Sequence, residues 1–251
     1  MLVLLPPSET KREGGAGEPL RVDALSFGSL GAIRDRLVDD VIELAGDADA
    51  AFHALRLGPR QAAEVERDRR LRTSPTMPAL DRYTGVLYDA LDAATLDAQA
   101  RAYAHRHVAI HSALFGLVGA LDPVPAYRLS HDSRIPGVRL KALWREAIAR
   151  ELDARTGLIV DLRSEGYAEL GPVPDRDDAV FVRVVSVDEN GRRRALNHFN
   201  KRAKGLFVRA LLLARPDGLT TLPDLIDWAA SHGFVLTAAA ADRPGELELV
   251  A

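Results

Sequence analysis

Apolar positions along the chain fall into short unbroken runs and longer helical stripes. Leu2–Leu5 is an unbroken apolar run closed by Pro6-Pro7, and it predicts a short buried strand. Residues 6–20 follow as a loop rich in Pro, Gly and Glu, a length that often carries function. Leu30, Ile33, Leu37, Val41 and Leu44 recur at helical spacing, with Ser29 as a candidate N-cap, and predict a helix over 29–44. Two more helices are expected over 47–56 and 59–71. The arginine-rich end of the second, followed by Pro75 and Pro78, marks a place for a flexible break. A helix over 92–103 and a strand over 107–112 come next, then a glycine-containing segment to 121 and a loop over 122–137. The clearest stripe, Leu140, Leu143, Trp144, Ala147, Ile148 and Leu152, predicts a helix over 138–155 stopped by Gly157. Strands are expected over 158–160, 179–187 and 192–199, the last two joined by Asn190-Gly191, the favoured type I′ hairpin turn. Helices over 201–213 and 222–231 and strands over 234–237 and 246–250 close the chain. Hairpins mixed with helices predict an α+β fold, a single domain over 1–251 with a mixed β-sheet flanked by helices.

Composition narrows the chemistry. The 251 residues contain no cysteine, which removes disulfides, thiolate metal sites and thiol redox chemistry. No apolar run approaches the roughly 20 residues of a membrane span. Met1–Leu5 has no basic leader, so no signal peptide is expected and the expected location is the cytoplasm. Lys+Arg total 33 against 36 Asp+Glu, so attraction to nucleic acid would need a local basic patch.

Several segments carry candidate chemistry. From Asn190 to Arg215 there is no acidic residue, and Lys201, Arg202, Lys204 and Arg209 fall on a predicted helix. Lys201, Lys204 and Gly205 share one face, where a glycine permits close approach. Such a helix start suits an anion, although charge runs are usually a solvated face. Ser8, Glu9 and Lys11 follow the first strand, with Ser8 and Lys11 at the spacing of serine–lysine nucleophile pairs. Asp81-Arg82-Tyr83-Thr84-Gly85, Tyr127-Arg128 and the segment from Asp161 through Ser164 to Tyr167 add polar residues at loops and strand ends, where α/β sites gather. His105, His107 and His111 lack a zincin spacing, and no metal or cofactor is expected from them. There is no GxxxxGK[ST] or GxGxxG loop.

Taken in order, these segments resemble the YaaA family of bacterial peroxide-stress proteins over nearly the full chain. The resemblance rests on Leu4-Leu5-Pro6-Pro7-Ser8-Glu9-Thr10-Lys11, Arg82-Tyr83-Thr84-Gly85, Ser112-Ala113-Leu114-Phe115-Gly116, Tyr127-Arg128-Leu129, Lys141-Ala142-Leu143-Trp144, Asp161-Leu162-Arg163-Ser164 and Asn200-Lys201-Arg202-Ala203-Lys204-Gly205. It implies a family-specific fold with a basic cleft, a role in limiting iron-driven damage during peroxide stress, and DNA binding. It places Lys11, Tyr83, Thr84, Tyr127, Arg128, Ser164, Lys201 and Lys204 in the cleft.

Two functions follow as expectations. In the first, a monomer binds double-stranded or branched DNA through phosphate contacts from Lys11, Arg82, Thr84, Tyr127, Arg128, Ser164, Lys201, Arg202, Lys204 and Arg209. In the second, an enzyme acts on a small anionic substrate, with Lys11, Ser8, Tyr83, Tyr167, Lys201 and Lys204 as catalytic candidates, because a crowded lysine can lose its proton near neutrality. Direct iron sequestration would need His and carboxylate ligands, and no spacing supplies them.

Overall fold

The computed structural model describes residues 1–187, 193–195, 198–239, 243 and 245–250. Strands are β1 Leu2–Leu5, β2 Gly17–Pro19, β3 Pro75–Pro78, β4 Val108–Ser112, β5 Gly116–Gly119, β6 Pro123–Val124, β7 Ile159–Asp161, β8 Ala179–Val187, β9 Arg193–Ala195, β10 Val235–Ala238 and β11 Glu246–Val250. Helices are α1 Gly31–Gly46, α2 Ala48–Ala54, α3 Ala62–Arg69, α4 Ala79–Arg82, α5 Val86–Leu91, α6 Ala98–His107, α7 Leu140–Asp153, α8 Glu165–Leu170, α9 His198–Ala214 and α10 Leu222–Ser231.

The main sheet runs β10-β11-β8-β7-β1-β4-β5, with β9 also on β8. Its centre is parallel: β11, β8, β7, β1 and β4 run the same way, while β5, β9 and β10 are antiparallel additions. Val3 sits between Val108 and Val160, and Leu4 between Ala109 and Asp161. A parallel strand covered on both faces has no solvent side, so its sequence is continuously apolar. Leu2–Leu5 and Val108–Ser112 are buried at every position for that reason. A small second sheet, β2-β3-β6, lies apart. One hydrophobic core extends from Leu2 to Leu249. This is an α+β fold with a mixed sheet flanked by helices.

Several expectations change. Ser29 does not cap α1; a short 3-10 turn, Gly28–Leu30, enters the helix, and the Ser29 hydroxyl donates to Glu151 instead. The helix expected at 92–103 is displaced to α6, because Asp92, in the left-handed region at φ 52°, ends α5 and a 3-10 turn follows. Of the strand expected over 192–199, the described part is β9, and α9 begins already at His198. The Asn190-Gly191 turn and Arg192 lie outside the described residues. The break expected near 67–78 is tied down: Arg72 pairs with Asp35 and Asp39 of α1, Leu71 is buried, and Pro75–Pro78 forms β3.

Connections leave β1 and β7 in opposite directions. After β1 the chain reaches β4 on one side, and after β7 it reaches β8 on the other. Adjacent parallel strands whose connections diverge leave a crevice at their carboxyl ends, where ligands of open α/β sheets bind.

Candidate functional site

A cavity of about 450 Å³ lies at that crevice. Pro6, Pro7, Ser8, Glu9 and Thr10 follow β1 on one side of it, and Ser164 and Tyr167 follow β7 on another. The segment 84–88, entering α5, and Asn200, Lys201 and Lys204 of α9 complete the walls with Ser130 and His131. The volume is that of a small-molecule site.

Gly205 explains how α9 reaches the cavity. A Cβ at position 205 would lie 2.2 Å from the Leu87 carbonyl oxygen and 2.8 Å from the Ala90 Cβ. Only glycine lets α9 press against α5, and one turn earlier the same face of α9 presents Lys201. Lys204, 5% exposed, donates from Nζ to the carbonyls of Leu162 (2.9 Å) and Arg163 (3.3 Å) just beyond β7. An ammonium has three hydrogens, so one remains for a guest. Burial lowers the Lys204 pKa to about 8; Asp161 opposes that shift and Arg183 adds to it. Neither acid near Lys204 is free to neutralise it: Asp161 is held by Arg163, and Glu165 by Arg183. Among the described residues, Lys204 forms no ion pair. Lys201 is exposed beside it.

Hydroxyls line another part of the cavity. Thr84 Oγ1 donates to Thr10 Oγ1 at 3.0 Å, and the hydroxyls of Ser8 and Thr10 lie 3.2 Å apart. Gly85, at φ +97°, makes the turn into α5 next to this cluster. A third wall is aromatic: the His131 and Tyr167 rings are tilted against each other with centroids 5.1 Å apart. Ser164 caps α8 without spending its hydroxyl on the helix.

Buried polar groups brace Tyr167 from below. Arg163 binds Asp161 through two bonds, Nε to Oδ1 at 2.8 Å and Nη2 to Oδ2 at 2.6 Å. Its Nη1 donates to the Gly171 carbonyl and to His111 Nδ1, each at 2.8 Å. A guanidinium only donates, so His111 Nδ1 accepts and the ring proton sits on Nε2. Burial first, then the Arg163 charge, push the His111 pKa well below its usual value, so the ring stays neutral. It packs near edge-on to Tyr167, centroids 5.7 Å apart.

A second polar cluster lies behind the first loop. Lys11 Nζ donates to the carbonyls of Ser8 (3.0 Å) and Glu9 (3.2 Å) and sits 4.1 Å from the Tyr127 ring centre. Burial, and secondly Arg128, lower its pKa to about 7. Asp68, fully buried, accepts from the Arg128 backbone N–H at 2.8 Å, and burial raises its pKa to about 8. Ser112 Oγ accepts from the N–H groups of Leu114 and Phe115, so its own proton goes to the Tyr127 hydroxyl at 2.7 Å. Tyr127 in turn donates to the Tyr83 hydroxyl at 2.8 Å.

The structure therefore gathers Ser8, Thr84, Ser164, Tyr167, Lys201 and Lys204 around one cavity. Lys11, Tyr83 and Tyr127 are buried behind it, not on a surface that a phosphate backbone reaches. Arg128 is mostly covered and pairs with Glu9 at 2.9 Å. Arg82 does not fit the expected anion-binding role: it is fully buried and donates to the carbonyls of Val124, Arg12 and Pro75, tying the first loop to β3 and β6. Arg202 and Arg209 belong to a separate groove between α5 and α9, shared with Asp89 and Asp92. There Arg209 donates to the carbonyls of Leu91 and Asp92. His107 ends α6 and bonds the Met1 carbonyl through Nδ1, while His111 lies on β4, so the two do not form a strand pair. Among the described residues, no group of three His, Asp or Glu side chains is arranged to hold an ion. No described helix is long and apolar enough to cross a membrane.

The polar and aromatic lining residues that sequence reasoning did not select are Thr10, Tyr88, Ser130, His131 and Asn200. Thr10 and Asn200 stand inside the motifs already quoted, whereas Ser130 and His131 lie in an aperiodic loop with no local signal.

A sequence model of the family described as "Peroxide stress protein YaaA" matches residues 1–239. A UPF0246 protein of Corynebacterium glutamicum (strain R) is 44% identical over 241 residues, covering 94% of each chain. A UPF0246 protein of Streptomyces coelicolor is 39% identical over 251 residues, covering 98% of this chain and 95% of its own. An uncharacterized protein of Campylobacter jejuni is 26% identical over 211 residues, covering 83% of each.

Proposed function

This chain belongs to the YaaA family of peroxide stress proteins, and we propose that it serves that response in the cytoplasm by binding, and acting on, a small anionic molecule at the β1–β7 crevice. The observation that carries this reading is Lys204: a buried cation without an ion pair among the described residues, with one ammonium hydrogen unspent, lining a 450 Å³ cavity. Holding a charge out of water is costly, and an anionic guest offsets that cost. Lys201 and the unspent Ser164 hydroxyl support the same guest. On this reading the protein limits iron-driven damage through its ligand, and no iron site is invoked.

Duplex or branched DNA is the second reading. It is favoured by Lys201 and Arg202, exposed side by side near the start of α9. Against it, Lys11, Arg82, Arg128 and Lys204 are largely or wholly covered and already bonded.

Calorimetric titration separates the two. Phosphate-bearing small molecules bind the parent protein and lose at least about tenfold in affinity in Lys204→Met, which keeps the apolar stem. A duplex that binds with a steep salt dependence, unaffected by Lys204→Met and abolished by Lys201→Ala with Arg202→Ala, would favour DNA.

A further inference from the structure

We propose that the guest of this cavity is a nucleoside monophosphate; the inference rests on the small-anion reading above and names the ligand class. Three kinds of wall argue for it. A bare oxyanion needs donors and cations, and Lys204 and Lys201 in the lining supply them. The same cavity has far more room than an inorganic phosphate fills, and much of its lining is apolar: Pro6, Pro7, Val86, Leu87 and the rings of Tyr88 and Tyr167. Apolar and aromatic lining with a few convergent polar groups is how a site takes an organic ring.

The aromatic wall is placed, not loose. A Cβ at Gly166 would meet His131 Cδ2 and Nε2 at 2.3 Å, so the imidazole rests directly on the backbone of α8. Its ring stays exposed at the cavity while Tyr167 buttresses it, centroids 5.1 Å apart, and the neutral His111 backs Tyr167 in turn. An exposed, braced aromatic face is a stacking surface for a planar base. The hydroxyls of Ser8, Thr10 and Thr84 offer both donors and acceptors, which suits a sugar. Asn200 lines the same cavity, and its Oδ1 has no hydrogen-bond partner. Cation, hydroxyls and ring surface thus match the phosphate, sugar and base of one nucleotide.

The test is isothermal titration of the full chain with AMP, GMP, CMP and UMP, beside adenosine, ribose 5-phosphate and inorganic phosphate. At least one nucleotide binds about tenfold or more tighter than ribose 5-phosphate, and removal of its phosphate costs a similar factor. His131→Ala, a change at an exposed site, weakens the nucleotide about tenfold and leaves ribose 5-phosphate unchanged. Lys201→Ala, also at an exposed site, weakens every phosphate-bearing ligand. If ribose 5-phosphate or inorganic phosphate binds as tightly as every nucleotide, or His131→Ala leaves nucleotide affinity untouched, the nucleotide inference is overturned while the small-anion reading stands. If no phosphate-bearing probe binds, the reading beneath it falls as well.

Discussion

Lys204 Nζ donates to the Leu162 carbonyl across 2.9 Å, joining the first turns of α9 to the chain leaving β7. That bond holds a cation at the end of a parallel sheet, and its chemistry sets the first prediction.

Burial lowers the Lys204 pKa from 10.5 to about 8, so the ammonium is charged at neutral pH and neutral in more alkaline buffer. Affinity for a phosphate-bearing ligand is expected to fall as pH rises above about 8, approaching tenfold per unit. The fall should be absent in Lys204→Met, whose binding is weak throughout. Titrations between pH 7.0 and 9.5 read this directly; a flat profile for the parent would contradict the assignment of Lys204 as the anion's partner.

Stability against pH should show two limbs of opposite sign. Asp68 is raised from 3.8 to about 8, so between those values the folded chain holds a proton that the unfolded chain loses, and stability falls as pH rises. Lys11 is lowered from 10.5 to about 7, so above pH 7 the unfolded chain holds the extra proton and stability rises. Each group contributes at most about 1.4 kcal/mol per pH unit. Urea unfolding across pH 5–10 should show the falling limb shrink in Asp68→Asn and the rising limb shrink in Lys11→Met. Unchanged slopes in both variants would mean that neither group is buried as described.

Gly205→Ala should destabilise the fold by about 1–3 kcal/mol, because the new methyl meets the Leu87 carbonyl oxygen and α9 must move off α5. Ligand affinity should fall with it, since Lys201 and Lys204 move with the helix. Denaturant midpoints and titration on the same sample test both effects; a neutral substitution would show that the contact between α5 and α9 is looser than described.

Arg163→Met leaves Asp161 buried and unpaired and removes the bond to His111, at a cost of about 3–5 kcal/mol. Adding Asp161→Val should recover part of that loss, because the stranded carboxylate is gone. Thermal unfolding of the parent, single and double variants gives the comparison.

Much of the fold is legible in the chain because burial on both sides leaves an unmistakable trace. The apolar run at β1, the Val-rich β8 and the stripe of α10 read directly, with α10 at the expected boundaries. The six-residue helices α5 and α8 are too short to display a period, so they pass as loops. Position 199 reads as strand through the hairpin expected around Asn190-Gly191, yet α9 has already begun there; the helix wins because its length buries a long stripe against the sheet and α5. For the site, Ser8, Ser164 and Tyr167 are legible because they stand just past the ends of buried strands, where α/β sites gather. The direction of a cation is not legible. Arg82 and Lys201 look alike in sequence, but one is consumed by three carbonyls and the other faces the cavity, a difference decided by loops remote in the chain. His131 gives no local sign because its role depends on the bare backbone of Gly166.

In the function proposed above, the crevice between β1 and β7 receives an anion through Lys204. A crystal structure of the chain soaked with whichever phosphate-bearing probe binds tightest in titration shows where the phosphorus lies. Phosphate oxygens are expected within hydrogen-bond distance of Lys204 Nζ and beside Lys201, with the loop 6–10 closing one side. Phosphate density lodged instead on the Arg202–Arg209 groove, or a crevice left empty at saturating ligand, would contradict it.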